Sequence, residues 1–245
     1  MRNFKKAIKK AIKKLLMFFD LEMRFLNVET SPILQTLAAI NMVQGDLVFD
    51  IGANTGQFAS ELRKAGFSGE IISFEPLSEA INVLRKMSIK DFKWKVHDQC
   101  AIGDFDGEVQ INISGNSVSS SILPMLNNHS LAAPQSSYVG NESVKIFKLD
   151  SIVNKYIKAS SNIFIKIDTQ GFEWQVLNGA ENTLKMARGV LCELSLVQLY
   201  EGQHLWRQII DRLEEEGFTL WAFQQGFTNA STGRSLQIDA IFLRL

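Results

Sequence analysis

The sequence predicts an α/β fold, in which a mostly parallel β-sheet carries helices on both of its faces. Short apolar runs typical of strands alternate with stretches of helical periodicity along most of the chain. Residues 47–58 (LVFDIGANTGQF) join one apolar run to a helical pattern through a turn that contains two glycines. A run of this kind is typical of a strand buried on both faces, as in a parallel sheet.

The composition is that of one catalytic domain with an extension. The chain has 245 residues, of which 46% are hydrophobic, and this is enough for a sizeable core. Its formal net charge is zero, so no global charge favours nucleic acid binding. Cys100 and Cys192 lie in apolar predicted strands without metal-ligand spacing. We therefore expect a reducing compartment, the cytoplasm, rather than a disulfide framework.

Residues 1–44 are predicted to be an N-terminal helical extension, and residues 45–245 the catalytic domain. Residues 1–16 place basic and apolar side chains at helical spacing without any acid, which predicts an amphipathic helix. Lysine pairs interrupt it too often for a transmembrane helix or a signal peptide. Two interpretations stay open: residues 1–19 lie on the anionic inner surface of a membrane, or they dock on the domain.

A second helical region is predicted over residues 25–43, and Ser31-Pro32 marks the start of a new helix within it. We expect this region to cover one end of the sheet. Predicted strands cover residues 47–50, 71–74, 93–101, 108–113, 144–149, 163–167, 190–194, 218–223 and 238–243. Predicted helices cover residues 57–65, 78–87, 151–157, 173–186 with a break at Asn178-Gly179, and 205–216. Ser78 is the expected N-cap of its helix, and Gly66 and Gly217 follow helix ends.

The turn after the first strand suits a nucleoside ligand that is not a dinucleotide. A dinucleotide fingerprint has glycine where this chain has Asn54 and Gln57, and no P-loop lysine follows. The next strand ends in Glu75, whose carboxylate can accept hydrogen bonds from both ribose hydroxyls. Asp50, at the first turn, can meet a cationic group of the ligand. These features together suit S-adenosylmethionine, which has an amino acid tail, a sulfonium charge and no phosphate.

Four acids follow or end predicted core strands, and we expect them to share one site. They are Asp50, Glu75, Asp168 and Glu193. In an open α/β sheet the ligand binds over the carboxyl ends of the strands, so these carboxylates are expected at the same rim.

Five short segments precede Glu193 in the chain: DIGANTGQF (50–58), FEP (74–76), AIGD (101–104), IKIDTQGFE (165–173) and VLNGA (176–180). With these segments in this order, the sequence resembles the FkbM-type methyltransferases from about Gly45 to the end. The resemblance implies a Rossmann-like class I methyltransferase sheet with an antiparallel terminal strand. It also implies an S-adenosylmethionine-dependent O-methyltransferase that acts on a sugar, a glycan or glycolipid, or another hydroxylated natural product. The expected cofactor-binding residues are Asp50, Gly52, Asn54, Gly56, Phe58, Glu75, Pro76 and Ala101.

Methyl transfer to a hydroxyl is helped by a base, and Asp168 is the first candidate for it. Glu193 is the second candidate. Lys166 is expected either to pair with an acid or to stabilise a developing oxyanion. Glu173 matches one acid of the family and is a further catalytic candidate that the resemblance implies, whereas Gln170 stands where the family commonly has another acid. The three histidines of the chain lack ligand spacing, so we expect no metal.

Residues 115–138 are predicted to be a long irregular segment, which in a compact domain is usually functional or disordered. Ser119, Ser120 and Ser121 match a serine-rich segment of the family, so the resemblance implies a lid over the acceptor; a mobile insertion is the alternative. His129, Tyr138 and His204 are further candidates for acceptor contacts, whereas Trp174, Trp206 and Trp221 are expected to pack. A nicotinamide-dependent oxidoreductase and a catalytically idle, membrane-associated binding protein are the competing functions. A methyltransferase that acts on nitrogen or on proteins is a further alternative.

Overall fold

The structure is a computed structural model that describes residues 2–21 and 26–245, without the side chains of residues 2–8 and 11. Its strands are β1 (Leu47–Ile51), β2 (Glu70–Phe74), β3 (Trp94–Val96), β4 (Ala101–Gly103), β5 (Gly107–Ser114), β6 (Tyr138–Lys148), β7 (Ile163–Ile167), β8 (Ala187–Ser195), β9 (Thr219–Gln225) and β10 (Gln237–Leu243). Its helices are α1 (Arg2–Phe18), α2 (Pro32–Met42), α3 (Gln57–Ala65), α4 (Ser78–Ser88), α5 (Asn127–Ala132), α6 (Leu149–Ile152), α7 (Glu173–Asn178), α8 (Glu181–Met186) and α9 (Trp206–Glu215). Met1 and Phe25, which fall in predicted helical regions, lie outside the described residues.

The main sheet has seven strands in the order β3-β2-β1-β7-β8-β10-β9. β1 pairs in parallel with β2 and β7, and β7 pairs in parallel with β8. β10 runs antiparallel to both β8 and β9, so the last strand of the chain is inserted between them. The predicted α/β sheet with an antiparallel terminal strand is thus confirmed.

Apolar side chains cover both faces of the central strands. All five residues of β1 and all five of β7 are buried. Phe49 and Ile165 pack on one face with side chains of α7, α8 and α9, whereas Val48 and Phe164 pack on the other face with α2 and α3. Each buried apolar side chain of this size contributes about 1.5–3 kcal/mol, and only Asp50 in β1 and Lys166 in β7 interrupt the apolar runs.

The single strand predicted over residues 93–101 is wrong, because two short strands occupy this stretch. β3 joins the main sheet beside β2, and His97 donates its backbone N–H to Ser73. The chain then turns away, and β4 pairs with β6. β4, β6 and β5 form a separate three-stranded sheet that the sequence did not predict.

Three further local predictions differ from the structure. The helix expected over residues 151–157 is confined to α6, which ends at Ile152. Ser78 is the first residue of α4 rather than its N-cap, because the side chains of Glu75 and Glu142 accept the backbone N–H groups of Leu77 and Ser78. The irregular segment predicted over residues 115–138 contains α5 and a 3₁₀ turn, Pro134–Ser136.

The segment before β1 contributes a wall of the domain. Ser31 caps α2 with its hydroxyl, which accepts the N–H of Leu34. Ala39 and Ile40 of α2 are fully buried in the core. The side chain of Gln224 in β9 donates to the carbonyl of Pro32 and to the hydroxyl of Thr36. Within the described residues, no helix is both long and apolar enough to cross a bilayer.

Candidate active site

A cavity of about 370 Å³ lies over the carboxyl ends of β1, β2 and β7. Ligand sites usually have volumes of about 300–1,000 Å³ and lie at this edge of an open α/β sheet. Six predicted cofactor residues line the cavity: Gly52, Asn54, Phe58, Glu75, Pro76 and Ala101. Lys166 and Asp168 also line it, whereas Asp50, Gly56, Glu173 and Glu193 lie outside its lining.

The turn after β1 is tied to the end of β2 through Glu75. One carboxylate oxygen of Glu75 accepts the N–H of Asn54 at 2.7 Å, and the other accepts the N–H of Leu77 at 2.9 Å. Asn54 has a φ of 46°, a left-handed conformation that asparagine tolerates better than most residues. Burial raises the pKa of Glu75 to about 7. Glu75 is therefore a buried acid that faces the cavity.

Gly52 and Gly56 shape the turn through backbone conformation and close packing. Gly52 has a φ of 75°, and a Cβ atom there would lie 1.8 Å from the carbonyl oxygen of Asp168. Gly56 has a φ of 92°, and a Cβ atom would lie 2.9 Å from the ring of Trp94. Gly56 thus allows α3 to pack beside β3 and does not line the cavity.

Lys166 is buried and pairs with the acids around it. Its Nζ donates to the carbonyl of Gly52 at 2.8 Å and lies 3.3 Å from Asp50 and 3.6 Å from Asp168. Burial opposes its charged form, but the charges of Asp168 and Asp50 outweigh it and hold the pKa of Lys166 above the usual value. Of the two predicted roles, the structure shows the ion pair.

Asp50 is fully buried and faces the protein interior. Its carboxylate accepts the hydroxyl of Ser73 at 3.0 Å in addition to its contact with Lys166. The cationic group that Asp50 meets is therefore the ammonium of Lys166.

Asp168 presents its carboxylate to the cavity, with 37% of the side chain exposed. The side-chain amide nitrogen of Gln170 donates hydrogen bonds to the carboxylates of Asp168 at 2.8 Å and Glu193 at 3.0 Å. Glu193 also accepts the amide of Gln237 at 2.6 Å. The amide of Gln170 thus lies between the carboxylates of the two candidate bases.

Glu173 is occupied by the loop that precedes its own helix. One of its carboxylate oxygens accepts the N–H of Thr169, the hydroxyl of Thr169 and the N–H of Gly171, at 2.9, 3.1 and 3.1 Å. Burial raises its pKa to about 7. The side chain stabilises the left-handed turn at Gln170 and Gly171, where φ is 54° and 99°.

Sequence reasoning missed several polar residues that line the cavity. Gln57, Glu61 and Thr169 lie near the predicted motifs, whereas Thr36 of α2, Gln224 of β9 and Asp239 of β10 come from distant elements. Burial and the neighbouring charge of Asp168 raise the pKa of Asp239 to about 7. Asp239 interrupts an otherwise apolar strand pattern, and this interruption is the only signal that the sequence carries for it.

Residues 115–122, here called the roof segment, cover one side of the cavity. Ser117, Val118, Ser120 and Ile122 line it. The hydroxyl of Ser121 donates to the carbonyl of Gln170 at 2.6 Å. Tyr200 donates its hydroxyl to the roof segment and to the side chain of Gln170, at 3.2 and 3.0 Å. The predicted lid is thus bound to the loop that carries Asp168.

The other aromatic candidates do not line the cavity. His129 is buried against Tyr200 and Phe227. Tyr138 donates its hydroxyl to the carbonyl of Leu123 at 2.7 Å. His204 stacks on Trp174 with ring centroids 4.3 Å apart. Trp174, Trp206 and Trp221 pack against the core as expected.

One protein family and several solved structures are similar to this chain. A family model described as the methyltransferase FkbM domain matches residues 50–220, and no curated protein matches the chain. One similar solved structure is magnesium protoporphyrin IX methyltransferase (ChlM) from Synechocystis PCC 6803 with bound SAM, with a TM-score of 0.48 and 11% sequence identity. The aligned region covers 89% of this chain and 78% of the ChlM chain.

Two further solved structures give similar values. An rRNA methylase from Streptococcus thermophilus has a TM-score of 0.47 at 10% sequence identity, and the aligned region covers 88% of this chain and 98% of the methylase chain. Precorrin-6y C5,15-methyltransferase from Geobacter metallireducens GS-15 has a TM-score of 0.46 at 10% identity and covers 86% of both chains.

The strand order and the sequence match define an S-adenosylmethionine-dependent methyltransferase with a Rossmann-like sheet. More particularly, the chain belongs to the FkbM methyltransferase family.

Proposed function

We propose that this chain is an O-methyltransferase that uses S-adenosylmethionine to methylate a sugar, a glycan or glycolipid, or another hydroxylated natural product. The observation that carries the proposal is the placement of Asp168. Its carboxylate lines the same cavity as Glu75 and the turn after β1, at the end of the strand next to β1. A carboxylate so placed can take the proton of an acceptor hydroxyl.

The residues around Glu75 fit the nucleoside part of S-adenosylmethionine. A carboxylate has about four acceptor positions, and Glu75 uses one on each oxygen for backbone N–H groups. Positions for ribose hydroxyls therefore remain. Pro76, Leu77, Ala101 and Ile102 provide apolar lining for the base. When bound, S-adenosylmethionine supplies an electrophilic methyl group.

Asp168 is held in place from two sides. Gln170 donates to one of its oxygens, and Lys166 lies 3.6 Å from the other. The roof segment lines one side of the same cavity. Holding an acceptor in reactive geometry beside such a base can lower the barrier by several kcal/mol, at most about 7–11.

The polar lining on the side of α2 and β10 suits a hydroxylated acceptor. Thr36 offers a hydroxyl and Asp239 a carboxylate. Such groups form hydrogen bonds with the several hydroxyls of a sugar, whereas a purely apolar acceptor would leave them unpaired. This lining supports the sugar-like acceptor within the broader class.

The test is transfer of a labelled methyl group from S-adenosylmethionine to a panel of sugars, glycolipid extracts, phenols and amines. We expect label on a hydroxyl, and a decrease in kcat of about 10²–10⁴-fold in Asp168→Asn with unchanged binding of S-adenosylhomocysteine. Glu193→Gln is the control, because Glu193 lies outside the cavity lining and should lose less activity. Label on nitrogen only, or an undiminished kcat in Asp168→Asn, would contradict the proposal. Binding without transfer to any acceptor would favour an idle binding protein.

A further inference from the structure

Helix α1 leaves its apolar side uncovered. In the part of the helix whose side chains are described, Leu15 is 61% exposed and Phe18 is 81% exposed, and Ile12 is also exposed. Phe19, directly after the helix, is exposed as well. Docking of this face on the catalytic domain would bury these side chains. The structure therefore favours the other interpretation of the basic helix, contact with a partner outside the domain.

The sequence of α1 separates charge from apolar surface. Its basic residues are Arg2, Lys5, Lys6, Lys9, Lys10, Lys13 and Lys14. Its apolar residues include Phe4, Ala7, Ile8, Ala11, Ile12, Leu15 and Phe18. At 3.6 residues per turn the apolar residues form one continuous stripe, and the basic residues cover the remaining sides.

The charge of the chain is divided between two regions. Residues 1–19 hold seven of the 26 basic residues and none of the 26 acidic ones, so the remainder carries a net charge of −7. An anionic surface would therefore attract α1 and repel the catalytic domain as a whole. A second copy is a poor partner for α1, because pairing would bring the basic residues of two helices together.

We propose that α1 binds in the headgroup region of an anionic lipid bilayer, with its apolar stripe towards the acyl chains and its lysines among the lipid phosphates. Amphipathic helices with a basic polar face bind such surfaces by these two contributions. A helix of 17 residues is about 26 Å long, which is short for the hydrocarbon core and consistent with a position parallel to the surface.

Membrane binding of α1 would keep the cavity near the bilayer. Residues 19–31 connect α1 to α2, and Pro32, Ile33 and Thr36 of α2 line the cavity. Thirteen residues span at most about 45 Å when fully extended. The helix thus limits how far the cavity moves from lipid-borne molecules, whatever its acceptor is.

The test is co-sedimentation of the full chain with vesicles of phosphatidylcholine alone or with about one third phosphatidylglycerol. We expect binding to the anionic vesicles, release by high salt, and little binding to neutral vesicles. Lys10→Glu/Lys13→Glu/Lys14→Glu should lower the partition coefficient by at least about tenfold, since each basic residue near the surface contributes about 1 kcal/mol. Ile12→Ser/Leu15→Ser/Phe18→Ser should lower it similarly by removing apolar contacts.

Matched variants on the catalytic domain control for general charge and apolar effects. Lys64→Glu/Lys86→Glu/Lys90→Glu changes three exposed lysines, and Ile89→Ser/Phe92→Ser/Val139→Ser changes three exposed apolar residues. Both should bind anionic vesicles as the unchanged protein does.

Three outcomes would overturn the proposal. They are absence of sedimentation, equal binding to neutral vesicles, and a dimer in light scattering that the α1 apolar variant abolishes. Because no methyl acceptor enters the assay, its result is independent of the proposed enzymatic function.

Discussion

Glu173 and Lys166 are charged residues whose contacts stabilise the backbone around the site. Glu173 accepts three hydrogen bonds from the loop at residues 169–171. Lys166 lies within 4 Å of Asp50 and Asp168 and donates to the carbonyl of Gly52. Both were predicted to be catalytic, and their contacts instead support a role in positioning Asp168.

If Glu173 acts by accepting these hydrogen bonds, the Glu173→Gln variant should keep stability and activity, and the Glu173→Ala variant should not. Glu173→Gln keeps an oxygen that can accept all three hydrogen bonds, so methyl transfer should be retained. Glu173→Ala leaves the N–H groups of Thr169 and Gly171 without this acceptor and should lower the free energy of unfolding by about 2–4 kcal/mol. Urea unfolding and kcat of both variants check this. Loss of kcat in stably folded Glu173→Gln would indicate direct participation in the chemistry.

The pKa of Glu173 adds a pH dependence to the same comparison. Its pKa is raised by burial from 4.5 to about 7 in the native state. Between these values the native protein retains a proton that the unfolded chain releases, so this residue lowers stability as pH rises from about 4.5 to 7. Glu173→Gln should therefore lose less stability than the unchanged protein over this interval.

The predicted site residues that line the cavity belong to local motifs. Asn54 and Glu75 each lie next to the end of a strand, in short segments that the sequence displays directly. Thr36, Gln224 and Asp239 reach the cavity only through long-range packing and strand register, such as the pairing of Asp239 with Gln224. Apart from the interruption of an apolar pattern at Asp239, these single polar residues carry no local signal.

At the scale of the element, α3 is bounded by two glycines with different surroundings. Gly56 and Gly66 have φ values of 92° and 111°, so both occupy the left-handed region. A Cβ atom at Gly56 would lie 2.9 Å from Leu84 and Trp94, whereas one at Gly66 would meet nothing within 4 Å. The two positions therefore separate backbone strain from packing.

Alanine should therefore lower the free energy of unfolding by different amounts at Gly56 and at Gly66. Gly66→Ala should lower the free energy of unfolding by about 1–2 kcal/mol through strain in φ. Gly56→Ala should cost about 2–5 kcal/mol, because overpacking against Trp94 is added. Urea denaturation of both variants measures the difference. Equal costs would show that the contact between α3 and β3 relaxes freely.

Elements with strong periodicity or glycine ends were predicted well, and those defined by tertiary pairing were not. α3 and β7 have the bounds that the sequence predicted. One strand was predicted over residues 93–101, but β3 ends at Val96 and pairs with β2, whereas β4 begins at Ala101 and pairs with β6. Only the positions of β2 and β6 in space decide where the chain leaves the main sheet.

At the scale of the whole molecule, the alternation of strands and helices predicted the main sheet, and the family resemblance predicted its antiparallel last strand. The second sheet was not predicted, because it depends on contacts between distant segments. The helix over residues 25–43 was predicted to cover one end of the sheet, but not to place Ala39 and Ile40 in the core. β10 pairs with β8, and α2 packs over the same region. The exposed apolar face of α1 was left open by the sequence and became visible only in the structure.

The central claim is that the cavity beside Glu75 binds the cofactor of a methyltransferase. Calorimetry with S-adenosylhomocysteine tests it most directly. We expect binding at one site, no binding of NAD, and a loss of affinity of at least about tenfold in Glu75→Ala, since hydrogen bonds to a charged group contribute about 1.5–3 kcal/mol each. Glu142→Ala is the matched control: Glu142 also binds the first turn of α4 but lies outside the cavity lining. The affinity of the Glu142→Ala variant for S-adenosylhomocysteine should be unchanged. Folded protein that fails to bind S-adenosylhomocysteine, or equal affinity in folded Glu75→Ala, would contradict the account.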